Sequence, residues 1–181
     1  LLEINEQEAQ KHYSEKLVLC EYLPMYLSKP NIKKINDDEI KSNNVYSCPQ
    51  TLFKLHPDFD EVIFEILKKD KKAKIFFIKD KNQAFYKKIF NRFQKKISQD
   101  INRITFMNPL EKTEYIHHCG RASVLLDPFY FGAGNSFHES MFYSTPTVTM
   151  PTNYLRTKIV QGAYEQMQIE NPPVVDNIED Y

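Results

Sequence analysis

From Val45 onward the chain alternates between two hydrophobic periods. Val45-Tyr46-Ser47, Ala73–Ile78, Ile104-Thr105-Phe106, Ser123–Leu126 and Thr147–Met150 are short runs that read as strands, the last stopped by Pro151. Between them, apolar side chains recur every three or four residues. Phe59, Val62, Ile63, Ile66 and Leu67 share one helical face after Pro57, whose missing amide suits a first turn. Phe85, Ile89, Phe90, Phe93 and Ile97 form a second such face, and Lys112–Cys119 and Leu155–Met167 read as further helices. Strand and helix in strict alternation predict an α/β fold, a Rossmann-like parallel sheet with helices on both faces.

The chain before Val45 lacks that regularity. Leu17-Val18-Leu19 is apolar enough for a short strand, Tyr22 to Leu27 shows no period, and Asn31–Asn44, with Asp37 and Asp38 near lysines, reads as a solvent-facing loop or short irregular helix. Residues 1–44 are therefore expected to be a connector, 45–170 the Rossmann-like domain, and 171–181 a tail. The length suits one domain, and lysine plus arginine balance aspartate plus glutamate at a net charge of +0. That balance gives no reason to expect nucleic acid or an acidic membrane as partner. Cys20, Cys48 and Cys119 are too scattered for a disulfide framework or a zinc site, and fit reduced thiols and a cytoplasmic setting. No apolar run reaches membrane-spanning length. The opening Leu1-Leu2-Glu3 has neither an initiator Met nor a secretory signal, so the sequence reads as a piece of a longer protein.

Candidate chemistry gathers in Leu125–Glu139, LLDPFYFGAGNSFHE. It holds Gly132 and Gly134, two of only four glycines, between a strand and a helix opening at Asn135 and Ser136. A turn free of β-carbons leading into free helix amides is suited to a phosphate, and Glu139, one turn further, could accept hydrogen bonds from ribose hydroxyls. In open α/β sheets, ligands sit beyond the carboxyl ends of the strands. That rule selects three loops: Cys48–His56 with Lys54, Met107–Lys112, and Asp127–Asn135. Lys112 stands at a helix start, where a cation opposes the dipole and so needs another explanation. His56 looks like a helix-entry residue, and His138 has packing or capping as readily as catalysis. His117 and His118 are adjacent on a helix and cannot share a metal. Asp58 and Asp60 resemble a metal-binding Asp-x-Asp pair but sit in a helix first turn, where acids are expected on dipole grounds. A dinucleotide fingerprint fails, because Phe137 stands at its third glycine and no ribose-reading acid follows about 20 residues on.

These residues show a family resemblance. Val124–Pro146, VLLDPFYFGAGNSFHESMFYSTP, with TVTMP after it, resembles the carboxy-terminal half of the O-linked N-acetylglucosamine transferases and their bacterial relatives, including the cytoplasmic N-glycosyltransferases. His12–Leu17, YSCPQTLFKLHP at Tyr46–Pro57, and Arg103–Ala122 resemble further family segments in the same order. The resemblance implies the carboxy-terminal half of a GT-B glycosyltransferase, with residues 1–44 leading in from a catalytic half outside this chain. It implies inverting, metal-independent transfer of a hexose or N-acetylglucosamine from a UDP-sugar to a polypeptide side chain, with no cofactor. Lys54 would neutralise the departing diphosphate. Gly132, Gly134, Asn135 and Ser136 would hold phosphates, Glu139 the ribose, and Leu110 the uracil edge, with Lys112 and His118 nearby. Gln50 and Thr51 would touch sugar or phosphates. Gly134 and His118 depart from the family, whose members carry a bulkier donor and an arginine there. The polypeptide acceptor and the base would be served by regions absent from this chain, which alone is expected to bind UDP weakly and transfer nothing. A non-catalytic sugar-nucleotide scaffold and a GT-B transferase with another donor or a glycan acceptor are the rival readings.

Overall fold

The computed structural model describes residues 6–35 and 43–181. Five parallel strands form one sheet in the order β3-β2-β1-β4-β5. They are β1 (Val45–Cys48), β2 (Lys74–Ile78), β3 (Ile104–Met107), β4 (Val124–Leu126) and β5 (Thr147–Val148). The helices are α1 (Glu6–Gln10), α2 (Phe59–Lys69), α3 (Ala84–Lys96), α4 (Lys112–Arg121), α5 (Asn135–Ser140) and α6 (Ile159–Gln166). This is the α/β architecture expected from the alternating periods. The strand order also reverses direction between β1 and β4, so the loops after these two strands diverge and leave a crevice at the carboxyl edge.

Side-chain alternation along the strands divides the core. Cys48, Ile75, Phe77 and Leu126 turn to the face covered by α2 and α3, where they meet Val62, Ile63, Leu67, Ile89 and Phe93. Leu125 turns to the other face and meets Cys119 and Ala122, at the end of α4. Phe137, Val160, Ala163 and Tyr164 make a third cluster with Leu23, through which the connector is pinned to α5 and α6. The Leu23 amide also donates to Gln166 Oε1 at 3.0 Å.

Four expectations change. Leu17-Val18-Leu19 is not a strand: no sheet neighbour is offered to it, Val18 is 75% exposed, and the Leu17 amide is taken by Gln10 Oε1. The last strand is shorter than Thr147–Met150, because Thr149 bridges in parallel to Val174 instead. Leu155–Met167 is broken at Lys158 into a short 3-10 turn and α6. Phe85 leaves the core face of α3 and packs on Phe53, ring centroids 6.2 Å apart. Asp37 and Asp38 lie outside the described residues. The 171–181 segment is a packed part of the sheet edge. The Tyr181 hydroxyl lies 2.9 Å from the Asp127 carbonyl oxygen and 3.0 Å from that of Val148.

Gly120 is needed for α4 to approach the turn after α5. A β-carbon there would lie 2.5 Å from the Tyr143 ring, whose hydroxyl accepts from the Ile35 amide. Gly120→Ala therefore has to displace an anchored ring, and should cost about 1–3 kcal/mol of stability in urea unfolding despite the better helix propensity of alanine. A neutral or stabilising result would show that the ring moves freely.

Candidate functional site

The two loops that diverge at the switch point are joined across the cleft by the side chains of Lys54 and Gln50. Lys54 ends the 3-10 turn Leu52–Lys54 after β1, and its ammonium donates 2.9 Å to the carbonyl of Gly132, in the loop after β4. It also donates 2.9 Å to Gln50 Oε1, while Gln50 Nε2 donates 2.8 Å to Ser136 Oγ at the start of α5. Phe131 lies under the same ammonium, its ring centroid 4.6 Å from Nζ. Every partner of Lys54 here is uncharged. None of the ion pairs among the described residues involves it. Burial lowers its pKa, opposed by the negative charge of Asp127.

Around this bridge opens a cleft of about 610 Å³. The residues singled out from the sequence line it: Gln50, Thr51, Lys54, Leu110, Lys112, Gly132, Gly134, Asn135, Ser136 and Glu139. A more apolar hollow of about 470 Å³ adjoins it past Pro49, Gln50, Thr51, Leu110 and Tyr115, and is walled by Phe53 and Phe85. His118 is the exception. Its Nε2 lies 2.7 Å from Ser47 Oγ, its ring packs on Phe76, and burial lowers its pKa to about 4. It is a neutral packing residue on the α4 face of the sheet, outside the cleft lining.

The remaining candidates sort by contact. Lys112 at the opening of α4 finds its partner in Glu139 of α5, Nζ to Oε1 3.2 Å, which accounts for a cation in that position. The two helices are thus linked at the cleft by an ion pair. His56 accepts from the Asp58 amide, and His138 lies against Met25 Sδ at 3.2 Å, so both serve local packing. Asp60 is buried against Arg92, with guanidinium nitrogens 2.6 and 2.8 Å from its two oxygens, and Asp58 accepts from the Tyr130 hydroxyl. Those two carboxylates are committed to separate partners.

The two cleft glycines have different reasons. A β-carbon on Gly132 would lie 2.9 Å from Asp127 Oδ2 and 3.2 Å from the Arg156 carbonyl, so protein atoms crowd it from behind. On Gly134 a β-carbon would meet only Ile159 Cδ1, at 3.9 Å, leaving open space towards the cleft. The amides of Gly134, Asn135 and Ser136 meet no acceptor among the described residues, as expected for the amides that open a helix. A half-buried ammonium with no acid in contact, beside free amides, is an arrangement that favours an anion.

Sequence reasoning did not single out three residues of this site. Tyr115 lines the cleft three residues after Lys112, a spacing that puts it on the same helix face and could have revealed it. Phe131 sits in the glycine-rich stretch itself. Asp127 enters the sequence reading only as the first residue of its loop. It is 2% exposed, and its carboxylate accepts from the Ala133 amide and, at 2.7 Å, from Thr149 Oγ1.

No family model and no curated protein matches this chain. Among solved structures, a mutant of the O-GlcNAc transferase of Thermobaculum terrenum superposes with a TM-score of 0.67 at 16% identity, over 76% of this chain and 26% of that one. TarM superposes with a TM-score of 0.62 at 15% identity, over 86% of this chain and 29% of that one. The chain thus spans less than a third of either neighbour, and at these identities the likeness establishes a Rossmann-like fold shared with GT-B glycosyltransferases. No helix among the described residues is long and apolar enough to cross a membrane.

Burial pushes the Asp127 carboxyl up to about 6, against the hydrogen bonds of Thr149 and Ala133 and the charge of Lys54. A folded-state value above the unfolded one of about 4 means that the group stabilises the fold at low pH and loses that contribution as pH rises through about 6, a change of roughly 3 kcal/mol. Asp127→Asn cannot ionise and escapes the loss. Its thermal midpoint relative to wild type should therefore improve by several degrees between about pH 4 and about pH 7.5. A difference independent of pH would show that the carboxylate ionises there without penalty.

Proposed function

We propose that this chain is the donor-binding half of a UDP-sugar-dependent protein glycosyltransferase, inverting and independent of metal, which transfers a hexose or N-acetylglucosamine to a polypeptide side chain. The observation that carries this reading is the Lys54 ammonium, held at the switch point by uncharged acceptors only, with free amides of Gly134, Asn135 and Ser136 lining the same cleft. The fold shared with glycosyltransferases supports it.

In such a reaction the bond from the sugar's anomeric carbon to the diphosphate oxygen breaks while an acceptor atom attacks from the opposite face. Negative charge grows on the departing diphosphate. Lys54 meets that charge more strongly in the transition state than in the ground state, which is the condition for acceleration. Its bonds to Gln50 and Gly132 are to neutral acceptors, weaker than the charge-assisted bonds that phosphate oxygens would offer in their place. Glu139, steadied by Lys112, would accept from the ribose hydroxyls, and the backbone at Leu110 would meet the uracil edge. The polypeptide acceptor and the base that deprotonates it belong to regions outside this chain. The free thiols of Cys20, Cys48 and Cys119 suit a reducing, cytoplasmic setting.

Calorimetry with UDP, GDP and ADP tests the donor assignment. UDP should bind measurably and best, and Lys54→Ala should weaken it about 10- to 100-fold, the worth of a charge-assisted contact. A preference for GDP or ADP would support a GT-B transferase with another donor. UDP binding with no transfer by the full-length protein would support a non-catalytic scaffold, and turnover by the isolated chain would refute the division of labour proposed here.

A further inference from the structure

The buried carboxylate behind the glycine turn has no place in the donor reading as it stands, although it costs stability at neutral pH. Its geometry supplies one. Oδ1 takes the Ala133 amide and Oδ2 takes Thr149 Oγ1, so both oxygens are spent on fixing the turn to the sheet edge. Gly132 lies directly over Oδ2, and its own amide is held by the Arg156 carbonyl at 3.1 Å. With the amides of residues 132 and 133 both tied behind the turn, the Gly132 carbonyl is presented to Lys54 on the cleft side.

We propose that Asp127 is a positioning residue for Lys54: it fixes the Gly132–Ala133 turn so that the Gly132 carbonyl faces the ammonium, and from behind that turn it provides a counter-charge that does not occupy the ammonium's protons. This deepens the donor-site reading and rests on it for its purpose. A direct ion pair would hold Lys54 equally well but would have to be broken by each incoming diphosphate. A carboxylate with both oxygens bonded elsewhere stabilises the cation and leaves its protons to weak neutral acceptors.

Among the described residues, no other group facing Asp127 supplies that charge. Cys48, Tyr164 and Tyr181 face it, and burial raises the pKa of each, so they are neutral at pH 7. Arg156 contributes its backbone carbonyl, while its guanidinium turns outward onto the Tyr130 carbonyl and the Phe131 and Tyr154 rings. Lys54 is the cation coupled to Asp127, and each charge favours the charged form of the other.

The test uses the chain without nucleotide. With 13Cε-labelled lysine, the Lys54 signal is assigned by its loss in Lys54→Met and followed against pH in wild type and in Asp127→Asn, which keeps the shape and removes the charge. Lys54 should titrate about one pH unit lower in Asp127→Asn. In Asp127→Ala the Ala133 amide should exchange with solvent at least tenfold faster than in wild type, under conditions where core amides of β1 and β2 are unchanged. An unshifted Lys54 titration overturns the counter-charge role, and an equally protected Ala133 amide overturns the fixing role. Because neither readout involves UDP, a chain that passes both tests yet binds no UDP would refute the donor reading and leave the positioning of Lys54 established.

Discussion

A single ammonium spans the gap that the strand order opens. The reversal between β1 and β4 sends their following loops in opposite directions, and two mutually bonded side chains tie them together again, Lys54 to Gly132 and Gln50 to Ser136. The crevice therefore owes its existence to topology and its definite shape to these two side chains. The strap is built of neutral acceptors, so it orders the cleft while leaving the cation's charge uncompensated at contact distance. Were a carboxylate the partner, the loops would be as well joined, but the cleft would present no attraction to an anion.

Much of this was legible from one-dimensional pattern. Strands with apolar runs and helices with apolar faces announced the sheet, and the rule that ligands collect at carboxyl ends of strands selected the three loops that line the cleft. Periodicity says less about where a helix points around its own axis. His118 follows Lys112 by six residues, which turns it about 120° away and more than one turn along the helix. Lys112 and Tyr115 reach the cleft, whereas His118 meets Ser47 and Phe76 on the sheet. Gln50 illustrates a second gap. As a residue type it suited a ligand contact, but its amide is bivalent, and here both ends are occupied by the protein, joining Lys54 to Ser136.

Long-range contacts made by irregular chain were the least legible. Residues 171–181 have no period, yet Val174 pairs with Thr149, and the Tyr181 hydroxyl reaches backbone carbonyls of Asp127 and Val148. Those contacts depend on unsatisfied edge carbonyls that exist only once the sheet has formed. Leu17-Val18-Leu19 fails as a strand for the converse reason: three apolar residues supply composition but no partner edge.

The two ends of the sheet differ in how completely their polar groups are satisfied. At the amino end, Asp70 takes hydrogen bonds from Asn44 and Tyr46, and Arg103 is spread over Asp100 and the carbonyls of Leu67 and Asp70, so charges and carbonyls are matched locally. The carboxyl end collects the exceptions: an ionisable carboxylate deep in the core, a half-buried lysine with no acid in contact, free amides before α5, and the exposed rings of Phe53, Phe85 and Phe131. A chain optimised for stability alone would remove such conflicts. Their concentration within one crevice is accounted for if they share a ligand, because an anion at Lys54 would engage the lysine and the amides together, and the charge on Asp127 is what holds that lysine ready.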